Sequence, residues 1–367
     1  LKPGVAGHYD AVILDEAHYI KGLDTYWTWS VQRIAKHADM VLPMTGTPMP
    51  NWAHELFTVL RVLRPEEAKR GQRLGSYWHW VERWFTTAPS RFSEFQRTIG
   101  GLRDCEYHAD CKRRSPDDPC EHWLAFAREN LGDQYMRHLQ AEVFDLPPMV
   151  AQDIQVPLDS AARRMYAELR KDYITETESG AEVMAWNQGA RNVMLDKLTT
   201  SPWLLDPQGT PRGGKLDMLR FDLESRTRPT VVFAHYQATV EACAGVAKDL
   251  GRRVAYVHGG VSPQVTRRAV RAFQAGELDV LVGSYEKMAE GVTLTQADQA
   301  IFVETSFKPS KNTQARRRIH RIGQTRPCVS RTYITPGTVD AHKQILLREK
   351  NDQTLAAMTA AEFARLL

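Results

Sequence analysis

Short apolar runs rich in β-branched residues recur along this chain at residues 11–14, 40–44, 230–234, 254–257, 280–282 and 300–303. Each is fenced by polar or glycine residues. Runs of this length are what a strand buried on both faces of a parallel sheet requires, because neither face meets water. Between the later runs lie segments of helical spacing at 237–250, 263–275 and 312–322. Strand alternating with helix predicts an α/β fold with a doubly wound parallel sheet. The chain has 367 residues, 43% of them hydrophobic, enough for two ordinary cores.

Residues 65–229 break the rhythm, with tryptophan-rich helical stretches, a predicted helix over 159–173 and a cysteine cluster. They read as insertions and inter-domain helices. Trp27, Trp29, Trp52, Trp78, Trp80 and Trp84 suit either base stacking or core packing. The net charge of +4 permits contact with phosphate backbones without requiring it. No apolar run approaches the ~20 residues that span a bilayer, and the first residues lack the layout of an export signal. An intracellular protein, cytoplasmic or nucleoid-associated, with no membrane partner is expected. Five cysteines, three of them between Cys105 and Cys120, fit a secreted disulfide framework poorly. Cys105, His108, Cys111, Cys120 and His122 offer zinc ligands, with the three cysteines and His108 as the expected set; free thiols in a polar insertion are the alternative.

Asp15 and Glu16 follow directly on the first apolar run, at the carboxyl end of a strand, where open α/β sheets bind ligands. In phosphoryl transfer one acid holds magnesium and the other orients or deprotonates water. Asp15 suits the metal and Glu16 the water; acids that merely complement a helix dipole are the alternative. About thirty residues on, the second run ends in Thr45-Gly46-Thr47-Pro48, followed by Asn51 and Glu55. Near the end, four arginines and a histidine crowd between Gln314 and Arg321, inside the segment of helical spacing. On a helix, Arg318 and Arg321 would share one face and could clamp a phosphate and stabilise transition-state charge; a solvated basic face is the alternative.

Asp15-Glu16-Ala17-His18 followed by Thr45-Gly46-Thr47-Pro48 resembles motifs II and III of superfamily 2 helicases. Gln314-Ala315-x-x-Arg318-x-x-Arg321-x-Gly323-Gln324 resembles motif VI of the Swi/Snf branch. Residues 283–294 resemble motif V, with Thr293 in place of the usual asparagine, and residues 232–236 resemble motif IV. Residues 256–260 resemble the strand and glycine turn that follow, and Gly337-Thr338-Val339-Asp340 the closing helix start. Glu304 and Phe307 are conservative departures. The likeness covers most of the chain from Asp10 onward.

This resemblance implies two RecA-like lobes, the first incomplete, with helical insertions. Residues 1–150 would be the C-terminal part of the first lobe, with an insertion at 103–123; residues 151–228 a helical protrusion and linker; and residues 229–367 the second lobe. It implies a DNA-dependent ATPase that hydrolyses ATP with magnesium between the lobes and moves along DNA, double-stranded by family habit. Asp15, Glu16, Arg318 and Arg321 inherit catalysis. His18, Thr45, Gly46, Thr47, Gly291 and Gln314 inherit nucleotide binding and coupling, and Thr47, Ser284 and Thr293 inherit DNA contact. Such a motor also needs a phosphate-binding loop, and none precedes Asp15. Lys215, in Gly213-Gly214-Lys215-Leu216, lacks the hydroxyl residue that should follow and instead matches the family's opening of the second lobe. The expectation is therefore a fragment or split-gene product, or a partner polypeptide carrying the loop. A non-catalytic DNA-binding or regulatory module is the alternative.

Overall fold

The computed structural model describes residues 7–20, 22–69, 71–90, 93–107, 110–111, 117–206, 208, 212–288 and 292–366. The chain forms two compact units, Leu1–His138 with Arg348–Leu367, and Leu139–Leu347. The expected lobe boundary at 150 thus falls inside a strand of the second unit, and the segment 151–228 packs within that unit.

The second unit is built on six strands: β5 (Met149–Gln155), β8 (Thr230–Ala234), β9 (Val254–Val257), β10 (Val280–Ser284), β11 (Gln299–Phe302) and β12 (Cys328–Ile334). Four others lie elsewhere in the chain before β8: β1 (Tyr9–Leu14), β2 (Ala38–Pro43), β3 (Phe85–Ser90) and β4 (Ser93–Leu102), and a small hairpin pairs β6 (Ile174–Glu176) with β7 (Glu182–Met184). The six-stranded sheet is wholly parallel, in the order β5-β12-β11-β8-β10-β9. Successive residues of β8 serve opposite faces. Val232 and Ala234 pack with Leu216, Leu219 and Val240 on one side, while Val231 and Phe233 pack with Phe273, Tyr285 and Ile319 on the other. Helices therefore cover both faces, and the doubly wound α/β fold stands. The helix Pro263–Gln274 shows why the connections start where they do: Ser262 accepts from the Val265 amide and Pro263 occupies the first turn. β5 escaped the apolar pattern because it is an edge strand with five of seven residues exposed.

In the first unit β1 and β2 pair in parallel, Tyr9 opposite Ala38 and Leu14 opposite Pro43. The connecting helix Tyr26–Ala35 is capped by Thr25, whose hydroxyl accepts from the Thr28 amide. Leu14 and Val41 point inward to a small core with Ile20, Ala35, Val59 and Val62. These strands are not buried on both faces as the sequence suggested. Ile13 is 60% and Met40 55% exposed, because among the described residues this sheet has only two strands and is covered on one side. A larger core gathers Phe57, Leu60, Trp80, Phe85 and Phe126 with Ala357 and Ala360 of the long helix Val339–Leu366. The antiparallel β3–β4 hairpin, in a region read as helical, flanks it. Trp80 is a core residue bonded through Nε1 to Asn130 Oδ1 at 2.7 Å, whereas Trp27, Trp29 and Trp78 are exposed.

Candidate functional site

The parallel pairing of β1 and β2 brings the two expected motifs of the first unit to the same sheet edge. Met44 N donates to Leu14 O at 2.8 Å and Ala17 N to Met44 O at 3.0 Å, so the chain leaves both strands side by side. Asp15 is exposed, with Oδ1 accepting from Glu16 N at 2.9 Å. Glu16 has φ of +49°, a left-handed conformation that costs a non-glycine residue roughly 1–2 kcal/mol. The surroundings hold it there: Tyr19 N bonds its carbonyl, and its Oε2 lies 3.1 Å from His18 Nδ1. The same Nδ1 is 3.0 Å from Thr45 Oγ1, which accepts from Thr47 N at 3.1 Å. His18 is buried and stacks on Tyr19. Glu16, His18, Thr45 and Thr47 thus form one linked row, with Gly46 in the turn between the threonines.

In the second unit the helix over 312–322 is corrected. It spans Pro309–Arg316, and Arg318 and Arg321 lie in the turns beyond it. The reason is Gln324, whose buried amide donates to the carbonyls of Thr295, Ala297 and Ile319 and accepts from the amides of Thr325 and Arg326. That plug, together with fully buried Ile319, pulls the chain out of helical register. The two arginines still meet one segment: Arg318 Nη1 donates to Val292 O at 3.2 Å and Arg321 Nη1 reaches Thr293 Oγ1 at 3.5 Å, while Leu294 N donates to Arg318 O. Arg316 turns inward to Ser330 and Thr332 and lies over Phe302. Ser284 ends β10 and is buried; Gln314 sits on the helix. Gly291 lies outside the described residues. Among the described residues, Thr47 Oγ1, Ser284 Oγ and Gln314 Oε1 are buried polar atoms without a hydrogen-bond partner.

Lys215 is no phosphate ligand here. It is fully buried, its Nζ 2.7 Å from Asp340 Oδ2. Sequence reasoning missed the role of Glu304, a buried carboxylate that accepts from Thr200, Thr239 and the amides of His235 and Tyr236. Four donors that lie 65 to 104 residues away along the chain leave no local signal.

In the cysteine cluster, Cys105, Cys111, Cys120 and His122 place their ligand atoms within 4.8 Å of one another. His122 supplies the histidine of this group among the described residues; the expected ligand His108 lies outside them. Among the described residues no helix is long and apolar enough to cross a membrane.

A model of the SNF2-related domain matches residues 4–199, and a model of the helicase conserved C-terminal domain matches residues 214–323. The DNA annealing helicase and endonuclease ZRANB3 of Homo sapiens is 26% identical over 351 residues, 95% of this chain and 29% of that protein. The SWI/SNF-related matrix-associated actin-dependent regulator of chromatin subfamily A-like protein 1 of Xenopus laevis is 24% identical over 361 residues, covering 94% of this chain and 32% of its own length. The chain thus spans about a third of these relatives. A solved structure, the Sulfolobus solfataricus SWI2/SNF2 ATPase core in complex with dsDNA, is 19% identical with a TM-score of 0.44, covering 97% of this chain and 70% of that one. With the first model alone accounting for more than half of its residues, this chain belongs to the SNF2-related family.

Proposed function

We propose that this chain carries the working parts of an ATP-dependent DNA translocase that moves along duplex DNA inside the cell. One observation carries the reading. Thr47, Ser284 and Gln314, three positions with motif assignments, each bury a polar atom that finds no partner within the protein. Such an atom costs about 1–3 kcal/mol; nine more occur elsewhere among the described residues, and what sets these three apart is that they fall in the segments resembling motifs III, V and VI. The human relative's name, a DNA annealing helicase, supports DNA as the track.

The residues fit the chemistry. Asp15 presents an exposed carboxylate, the hard oxygen donor that magnesium takes. Magnesium, when held there, neutralises phosphate charge. Glu16 orients and deprotonates the attacking water, its backbone fixed by the strained turn. Arg318 and Arg321 offset charge that develops on the transferred phosphoryl group. His18 and Thr45 tie the acids to the loop of Gly46 and Thr47, so a change at the nucleotide reaches a DNA contact; Thr47, Ser284 and Thr293 meet the phosphate backbone. The triphosphate also needs a cradle of amides and a lysine. Lys215 is committed to Asp340 and is not that lysine.

The test is Glu16→Gln in a polypeptide that includes the cradle. DNA-stimulated hydrolysis should fall at least ~100-fold with ATP binding intact. Undiminished turnover removes Glu16 from the mechanism. Duplex binding with no ATP affinity in the unmutated polypeptide would instead establish the inert DNA-binding or regulatory module.

A further inference from the structure

The geometry points to a structural zinc site formed by Cys105, Cys111, Cys120 and His122, independent of the ATP chemistry. Cys105 Sγ lies 3.3 Å from Cys120 Sγ, and His122 Nδ1 lies 3.3 Å from Cys111 Sγ and 3.6 Å from Cys120 Sγ. Zinc bonds of ~2.3 Å to sulfur and ~2.0 Å to nitrogen, arranged tetrahedrally, separate ligand atoms by ~3.8 Å for two sulfurs and ~3.5 Å for sulfur and nitrogen. The three separations match those edges to within half an ångström, and the remaining pairs stay under 4.8 Å. The sulfurs are too far apart for a disulfide of ~2.05 Å, and none of the three cysteines is in one.

The ligands come from separate pieces of the fold. Cys105 is on the short helix Arg103–Tyr107 after the β3–β4 hairpin, and Cys111 is on the connecting segment. Cys120 caps the helix Glu121–Asn130 and His122 is in its first turn. A helix N-terminus favours a thiolate, the form that binds metal. Cys120 is buried in the core around Trp80 and Phe126, and Cys105 and Cys111 pack against it. Four protein ligands against a core leave no position open for water, the signature of a structural rather than a catalytic zinc. The metal pins the end of the hairpin to the start of the helix and closes the loop between them.

Metal analysis of the purified chain should give stoichiometric zinc, released in step with titration of its thiols by a mercurial. Cobalt added to the apoprotein should give the absorption of a tetrahedral site with three thiolates. Cys120→Ser and His122→Ala should each weaken cobalt affinity at least tenfold, and His108→Ala should leave it unchanged. A wild-type chain with only trace zinc and no tetrahedral cobalt spectrum overturns the site, whatever the folding of the variants. Loss of metal in His108→Ala with retention in His122→Ala overturns the ligand set.

Discussion

Lys215 Nζ and Asp340 Oδ2 meet at 2.7 Å across 125 residues of sequence, each side chain about 1% exposed. Asp340 also accepts from Thr335 N and lies 3.7 Å from Lys343 Nζ, and Lys343 is held by Asp196, the acceptor for the Tyr236 hydroxyl. This buried network joins the start of the helix Gly214–Glu224 to the start of the long helix Val339–Leu366. Gly214 makes the corner: its φ is +53°, and a Cβ there would sit 2.7 Å from the Thr200 carbonyl.

Lys215→Met should therefore destabilise the fold rather than weaken nucleotide binding. Removing one partner of a buried pair costs about 3–5 kcal/mol, and the low end applies because Lys343 remains near Asp340. Urea denaturation checks the loss. Wild-type stability with impaired ATP binding would return Lys215 to the phosphate site.

Acid should expose the same network. Burial alone would raise the Asp340 carboxyl, but the ammonium groups of Lys215 and Lys343 hold it below its ordinary value of 3.8. A carboxyl with a depressed folded pKa contributes stability that is complete above the unfolded value and is lost as pH falls through the folded one. Stability should thus decline below about pH 4, and Asp340→Asn should be less stable at neutral pH and flatter on the acid limb. Parallel acid limbs in the two proteins would contradict the assignment.

Glu304→Gln should cost about 2 kcal/mol, because the new amide NH2 confronts two donors where a carboxylate oxygen accepted two of the four hydrogen bonds. Thermal unfolding reads this directly, and an unchanged midpoint would mean that the four contacts are not formed together.

Arg321→Ala should leave stability within about 0.5 kcal/mol, since the side chain is exposed and reaches only Thr293 Oγ1 at 3.5 Å. ATP turnover, measured in a polypeptide competent for hydrolysis, should fall ~100- to 1,000-fold with duplex affinity retained. Full turnover would leave Arg321 with nothing beyond a solvated surface role.

The inner strand β8 could be read residue for residue, because burial on both faces forces an unbroken apolar run. The edge strand β5 and the inner strand β12 could not: the half-solvated sequence of β5 and the polar Ser330, Arg331 and Thr332 within β12 break any such run. The acids at 15 and 16 were legible from their place after a strand, but the strained backbone of Glu16 was not, since it is held by Tyr19 and His18 and by the Ala17 amide on distant Met44. Helical spacing through residue 322 misled because periodicity does not register Gln324, whose side chain ties the segment after the helix to the carbonyls of Thr295, Ala297 and Ile319.

The sequence by itself determined the α/β class, the two motif loops and the metal-binding residue types, because these depend on local pattern and side-chain chemistry. Tertiary structure decided that His122 lies beside Cys105, Cys111 and Cys120, where Lys215 spends its charge and which strands fill the sheet edge. Those choices are made by contacts between residues distant in sequence, and spacing along the chain carries no record of them.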